Sequence, residues 1–330
     1  MPVLVKGAGI AGLTVAHELW SRGAEVTVLD PVPDGQAAAS WYAGGMLAPY
    51  CERESAEQMV VDLGLGAADW WDAALPGSVR RQGTLVVAPP RDIKELDRFG
   101  SRTSGFEQVG QEAIAVLEPD LTGTFRKGLF FKGEAHLNPR FALGALKAKL
   151  AAAGVSFHKD LNKAAIGEFD WVIDCTGIYA EDSALRGVRG EMLMLRTRDI
   201  SLSRPVRLIH PRLSIYIVPR ADHLFMVGAT MIESDARGPI TARSMMELLN
   251  AAYSVHPAFG EAEIVETGAG VRPAYADNLP RVVRKGKGIS INGLYRHGFL
   301  LAPAMARQAA DMIFEERSGH HETHRERASA

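Results

Sequence analysis

Cysteine is almost absent: Cys51 and Cys175 are the only two in 330 residues. Two thiols cannot build a disulfide framework, and such scarcity suits a reducing compartment, so the cytoplasm is the expected location. Charge excess is missing as well. Lysine and arginine number 37 against 39 aspartates and glutamates, a net charge of −2. That balance leaves no electrostatic footprint for nucleic acid or an anionic membrane, and neither is expected as a partner. No apolar run reaches the length of a membrane span. The first strand begins at once, so no signal peptide is expected. The chain also lacks internal repeats and low-complexity linkers. His136, His158, His210 and His256 have no metal-ligand spacing. His320, His321 and His324 lie in a polar stretch without periodicity, read as a solvated, frayed tail rather than a metal site.

What is present starts at the N-terminus. The apolar strand Met1–Lys6 runs into Gly7-Ala8-Gly9-Ile10-Ala11-Gly12, and a helix-forming stretch from Leu13 to Trp20 follows. In such a G-x-G-x-x-G turn the first glycine permits the tight bend and the second lets backbone approach a pyrophosphate. The third lets helix and strand pack closely. The pyrophosphate sits at the helix N-terminus, where unpaired N–H groups favour an anion. A second strand, Val26–Leu29, ends in Asp30, placed to accept from a ribose hydroxyl. The motif alone is weak, and a Gly-rich turn without ligand is its bland reading. Strand, helix, second strand and acid in order make it a dinucleotide site.

Further along, Ala56–Leu75 reads as one helix with Trp70 and Trp71 on its apolar side. Strands are expected at 83–89, 128–132 and 155–157, helices at 92–99 and partly at 104–117. Asn138 and Pro139 open a helix to Ala153, as N-cap and first residue. Asp170–Gly177 is a buried strand ending in small residues, the shape of a second cofactor contact at Thr176 and Gly177. Residues 191–196, 214–219 and 223–228 alternate like half-buried antiparallel strands. A helix at 241–255, strands at 264–270 and 288–292, and a helix at 304–316 complete the pattern.

Parallel βαβ signals at both ends therefore enclose antiparallel signals in the middle. The expected fold is α/β: a discontinuous Rossmann-like cofactor domain (1–80, 134–186 and 266–330) with an inserted antiparallel-sheet substrate domain (81–133 and 187–265). A split nucleotide domain leans toward a flavin rather than NAD.

Four segments are more specific: Ala39–Pro49 (ASWYAGGMLAP), Ile215–Pro219 with Val227–Met231, Gly270–Pro273 (GVRP), and Gly293–Pro303 (GLYRHGFLLAP). With the N-terminal motif they resemble the D-amino-acid oxidase group of flavoproteins, most of all the bacterial glycine oxidases of thiamine biosynthesis. The likeness runs in order from Val3 to about Phe314. It implies non-covalent FAD, and oxidative deamination of a small amino acid by hydride transfer to flavin. Reoxidation by O2 gives H2O2, and the imine is passed to thiazole synthesis. It also implies a homo-oligomer. Glycine, sarcosine and small D-amino acids remain open as substrates. A dehydrogenase for D-amino acids or secondary amines, passing electrons to a quinone or other acceptor, is the alternative. No cysteine stands where sarcosine oxidases attach flavin.

Ala43, Gly44 and Gly45 carry almost no side chain, so backbone can lie against a flat ring, and Ser40 beside Ala39 can bond the pyrophosphate or ribityl chain. A surface loop would explain the glycines but not the adjoining Trp41, Tyr42 and Met46. The resemblance places Met46 beside flavin and substrate, Arg272 as the clamp for a substrate carboxylate, Tyr216 as its hydroxyl support and Met231 as a pocket wall. Taken singly, Arg272 would be read as a surface ion pair and Tyr216 and Met231 as packing. Arg296 is implied beside substrate and flavin. His297, Gly298, Phe299 and Leu300 are implied along the ring, with the Gly298 N–H on its pyrimidine carbonyl. A helix starting near Pro303 would aim its positive end there. His297 departs from the small polar residue expected in relatives. No acid or base is required for the transfer step, so no catalytic dyad is expected.

Overall fold

The computed structural model describes residues 1–32, 38–162 and 166–328, with side chains to residue 315. The part of the Gly/Ala/Pro-rich stretch at 34–37 lies outside the described residues, as does the end of the tail at 329–330.

Pro2–Lys6 places Val3, Leu4 and Val5 fully out of solvent, which requires cover on both faces of a strand. It pairs in parallel with Glu25–Leu29 on one side and Trp171–Asp174 on the other. Ser156–His158 extends the sheet beyond Glu25–Leu29, also in parallel. Gly288–Asn292 extends it beyond Trp171–Asp174, and the antiparallel Arg281–Lys285 closes that edge. The helix Ile10–Ser21 packs against the last helix and against Pro139–Ala152. Asn138 caps the latter helix, accepting from the N–H groups of Arg140 (3.1 Å) and Phe141 (3.4 Å) with Pro139 first in the helix.

The last helix runs Gly298–Ala328. Its start is six residues ahead of the one expected at residue 304, and the tail is helical as far as it is described. Pro303 therefore lies inside the helix, where it cannot donate to the carbonyl of Phe299. That carbonyl instead accepts from the Trp71 indole at 2.9 Å. Trp71 is carried by Ala67–Ala74, because the single helix expected over 56–75 breaks into Gln58–Gly64 and Ala67–Ala74. The break lies at Leu65-Gly66.

A nine-stranded sheet stands beside this layer. Its neighbours are antiparallel apart from Val206–Leu208, which runs parallel to Thr84–Val87. Residues 104–117 divide into an edge strand, Glu107–Gly110, and the helix Gln111–Leu117. Arg186–Arg196 and Glu263–Ala274 are longer than expected and pair antiparallel along their length, with a shift at Met194/Leu195. The boundary expected between residues 265 and 266 falls inside this second strand. Arg272, expected after a strand, is a strand residue. Leu85, Phe125, Leu193, Phe225 and Phe259 belong to a second core, closed by the helix Ala242–Val255 with Thr241 as N-cap.

Candidate functional site

The two sheets meet at a cavity of about 990 Å³, the upper range for a ligand site. One end is built almost wholly from backbone. Gly7, Gly9, Ile10 and Ala11 line it, with Asp30, Ala39, Ser40, Thr176 and Gly177. Gly7 has φ +93°, and a Cβ there would stand 2.7 Å from the Cys175 carbonyl oxygen. Gly12 does not line the cavity. A Cβ at Gly12 would lie 1.8 Å from the Gly7 carbonyl oxygen, so this glycine sets the closeness of helix to turn. Asp30 accepts from the N–H groups of Ala8 (2.9 Å) and Val32 (3.0 Å) and so ties the Gly-rich turn to the second strand. The Ser40 hydroxyl is buried without a partner, 3.8 Å from where a Gly9 Cβ would be. A buried unpaired hydroxyl is costly, and a ligand oxygen in the cavity would satisfy it.

Mid-cavity, Ala43, Gly44, Gly45 and Met46 approach from one side and Gly298, Phe299 and Leu300 from another. A Cβ on Gly44 would meet the Tyr216 ring at 2.7 Å, and Gly45 takes φ +71° against the Leu137 carbonyl. The Gly44 carbonyl accepts from Arg220 at 2.7 Å. Burial lowers the Arg220 pKa to about 10, since its described partners are carbonyl oxygens rather than a carboxylate. The first turn of the last helix leaves the N–H groups of Gly298, Phe299 and Leu300 unclaimed within the helix, since Leu301 is the first to donate back, to the His297 carbonyl.

The far end is built from side chains. Arg272 donates to the Thr230 carbonyl at 3.1 Å and, among the described residues, has no carboxylate partner. Burial lowers its pKa, which marks a desolvated cation that an anion would stabilise. Space for the guanidinium comes from Gly190 on the paired strand, where a Cβ would stand 2.0 Å from Nη2. Tyr216 lines the same end, together with Met231. Met231 is 55% exposed, a rim residue rather than an inner wall, and its sulfur faces Tyr295 Oη and Arg296 Nη1, each at 3.4 Å.

Arg296 is not free. Its Nε and Nη2 reach Glu52 Oε2 at 2.8 and 2.7 Å, and Nη2 also donates to Ser55 at 2.8 Å. Glu52, 7% exposed, also receives Arg207 on Oε1 and His297 Nε2 on Oε2 at 3.0 Å. Burial pushes its carboxyl up, but Arg296, Arg207 and His297 outweigh that and hold it well below the usual carboxylate range. Burial lowers the His297 pKa, keeping the imidazole neutral, and its Nδ1 has no partner. So His297 turns toward this ion cluster and spaces it.

Glu52, Arg207, Gly190 and Arg220 escaped the sequence reading. Glu52 stands in Cys51-Glu-Arg-Glu-Ser55, which looks like a solvated turn. The periodicity of Pro205–Leu208 is too short to tell a buried arginine from an exposed one.

Residues 2–312 match the family model described as DAO, FAD dependent oxidoreductase. The chain belongs to this family. It is 61% identical over 318 residues to the thiamine biosynthesis oxidoreductase ThiO of Rhizobium etli, covering 96% of this chain and 97% of that protein. It is 25% identical to a glycine oxidase of Pseudomonas aeruginosa, over 94% of each. A solved glycine oxidase from Geobacillus kaustophilus shares the fold with a TM-score of 0.78 at 21% identity, over 95% of this chain and 94% of that one. Iminodiacetate oxidase from Chelativorans gives 0.79 at 20%, over 95% of each. The DAO-family protein is thus an FAD-dependent oxidoreductase. Its cavity fits that cofactor: the unpartnered Ser40 hydroxyl and the bare backbone of Gly7 and Gly9 suit a pyrophosphate. Among the described residues no helix is long and apolar enough to cross a membrane, and no cluster could hold a metal ion.

Proposed function

We propose that this protein is a glycine oxidase, acting on glycine and small relatives such as sarcosine or D-alanine. The observation that carries the reading is Arg272: a desolvated guanidinium at the end of an FAD-sized cavity with no carboxylate of its own. It would clamp the substrate carboxylate in a fork, with the Tyr216 hydroxyl as second donor. Gly7, Gly9, Ile10, Ala11, Asp30, Ala39, Ser40, Thr176 and Gly177 would hold the ADP half of FAD. Ala43 to Met46 and Arg296 to Leu300 would hold the flavin half. FAD, when bound, supplies the two-electron acceptor and passes the electrons to oxygen.

The protein's own part is positioning. Glu52 is locked by two arginines, His297 is turned to Glu52, and Asp30 is taken by backbone N–H groups. Burial lowers the His297 pKa and makes its unpartnered Nδ1 a weak base, so in this proposal the substrate amine binds unprotonated. The carboxylate clamp sets the Cα in place, and the buried walls exclude water from the imine.

We further propose that the imine goes to a thiazole synthase partner. Bifunctional ThiO/ThiG proteins of Nostoc and Synechocystis support this; both are 28% identical to this chain, which spans 53% and 52% of their lengths. A homo-oligomer and a cytoplasmic location complete the proposal.

The test is to mix the yellow protein with glycine under anaerobic conditions, then admit air. Glycine should bleach the flavin, and air should restore it with one peroxide per turnover. Bleaching without peroxide, with electrons moving only to a quinone or dye, would replace the oxidase with a dehydrogenase. No bleaching by any amino acid would sink the reading.

A further inference from the structure

Two guanidinium groups line the substrate end, each touching one of two adjacent residues. Arg272 touches the Thr230 carbonyl and Arg296 touches the Met231 sulfur. Left alone, they would bind two anionic groups of one ligand. They differ in their partners: Arg296 has a carboxylate of the protein on its Nε and Nη2, whereas Arg272 has a backbone carbonyl. Arg98 and Arg212, the cavity's other arginines besides Arg207, lie exposed at its rim.

We propose that Glu52 is a specificity-determining residue that fills Arg296 in place of a second substrate anion and so restricts the enzyme to amines with a single carboxylate. Its carboxylate is well anchored for that task. Arg207, 9% exposed on the strand Val206–Leu208, holds Oε1, while Arg296 and His297 share Oε2. From behind, the neighbouring Cys51 N–H donates to the buried Glu134 carboxylate at 2.7 Å and fixes the short helix Pro49–Glu52. A ligand with a second carboxylate would find Nε and Nη2 of Arg296 already taken and would meet the Glu52 charge beside them. Glycine, sarcosine and D-alanine would meet neither. This inference rests on Arg272 as the carboxylate clamp of the proposed oxidase.

The test is binding rather than turnover. Acetate and malonate are titrated into the FAD-loaded enzyme, and the flavin spectrum reports occupancy. The wild type should bind acetate at least as well as malonate. Glu52→Gln keeps the shape but removes the charge, and should shift the preference toward malonate by about tenfold or more, the worth of one hydrogen bond to a charged group. Adding Arg296→Met to that variant should erase the shift. A purely structural role for Glu52 would weaken both ligands alike, and an unchanged ratio in Glu52→Gln would overturn the proposal. If Glu52→Gln does not fold, the wild type alone still decides, because tighter binding of malonate than acetate contradicts a blocked Arg296. If glycine fails to bleach the flavin, the oxidase reading falls while these titrations still stand.

Discussion

The two ends of the cavity are built on opposite principles. The end around Gly7, Gly9 and Ser40 is lined largely by backbone and small side chains, centred on one turn with additions from residues 39–40 and 176–177. The end around Arg272, Arg296 and Glu52 uses long charged side chains delivered by segments as far apart as residues 52, 207, 272 and 296. A backbone site tolerates no added atom, whereas a side-chain site tolerates no lost charge.

That contrast is sharpest at Gly12. A Cβ placed 1.8 Å from the Gly7 carbonyl oxygen has no flexible neighbour to displace. Gly12→Ala should therefore purify colourless or unfolded, read from the flavin-to-protein absorbance ratio. A fully yellow variant would break the comparison. At the other end, Arg272→Ala should keep its FAD and lose acetate affinity by about a hundredfold, the scale of two hydrogen bonds to a charged group. Loss of flavin in that variant would show that the ends are not separable.

Gly190→Ala tests the boundary between the two logics. It adds backbone-borne bulk 2.0 Å from the tip of a side chain, which can move. The expected outcome is normal FAD content with KM for glycine raised about tenfold, a loss of about 1.4 kcal/mol in binding. An unchanged KM would mean that the guanidinium does not need its present position.

The smallest expected effect lies outside the cavity, at His17. Burial, then Lys149, lowers its pKa to about 4 against the opposing pull of Glu18, and neither ring nitrogen has a partner beside Trp20 and Trp70. A histidine with a depressed folded pKa binds its proton more readily when unfolded. Its contribution is thus present above about pH 6.5 and lost as pH falls toward about 4. His17→Leu should flatten the fall in Tm over that window, by about 2 °C for a chain of this size. Parallel Tm curves for the two proteins would refute the assignment.

How much was legible follows from the same contrast. Gly7 to Asp30 and Ala43 to Met46 could be read because their chemistry depends on neighbours in the chain. The last helix began at Gly298 rather than near Pro303, since proline is a poor marker when another residue can satisfy the carbonyl it abandons. Glu52 and Arg207 were invisible for a different reason. A buried ion cluster is defined by which distant segments meet, and neither hydropathy nor spacing encodes that meeting. Arg296 lines the cavity, but its partner Glu52 was not foreseen.

The bond from the Trp71 indole to the Phe299 carbonyl couples positions 71 and 303. Pro303 creates the vacancy that Trp71 fills. Replacing the proline would restore the helical bond and free the indole, while removing the tryptophan alone would strand the Phe299 carbonyl at the start of the last helix. The two substitutions therefore differ in cost because of a single missing N–H.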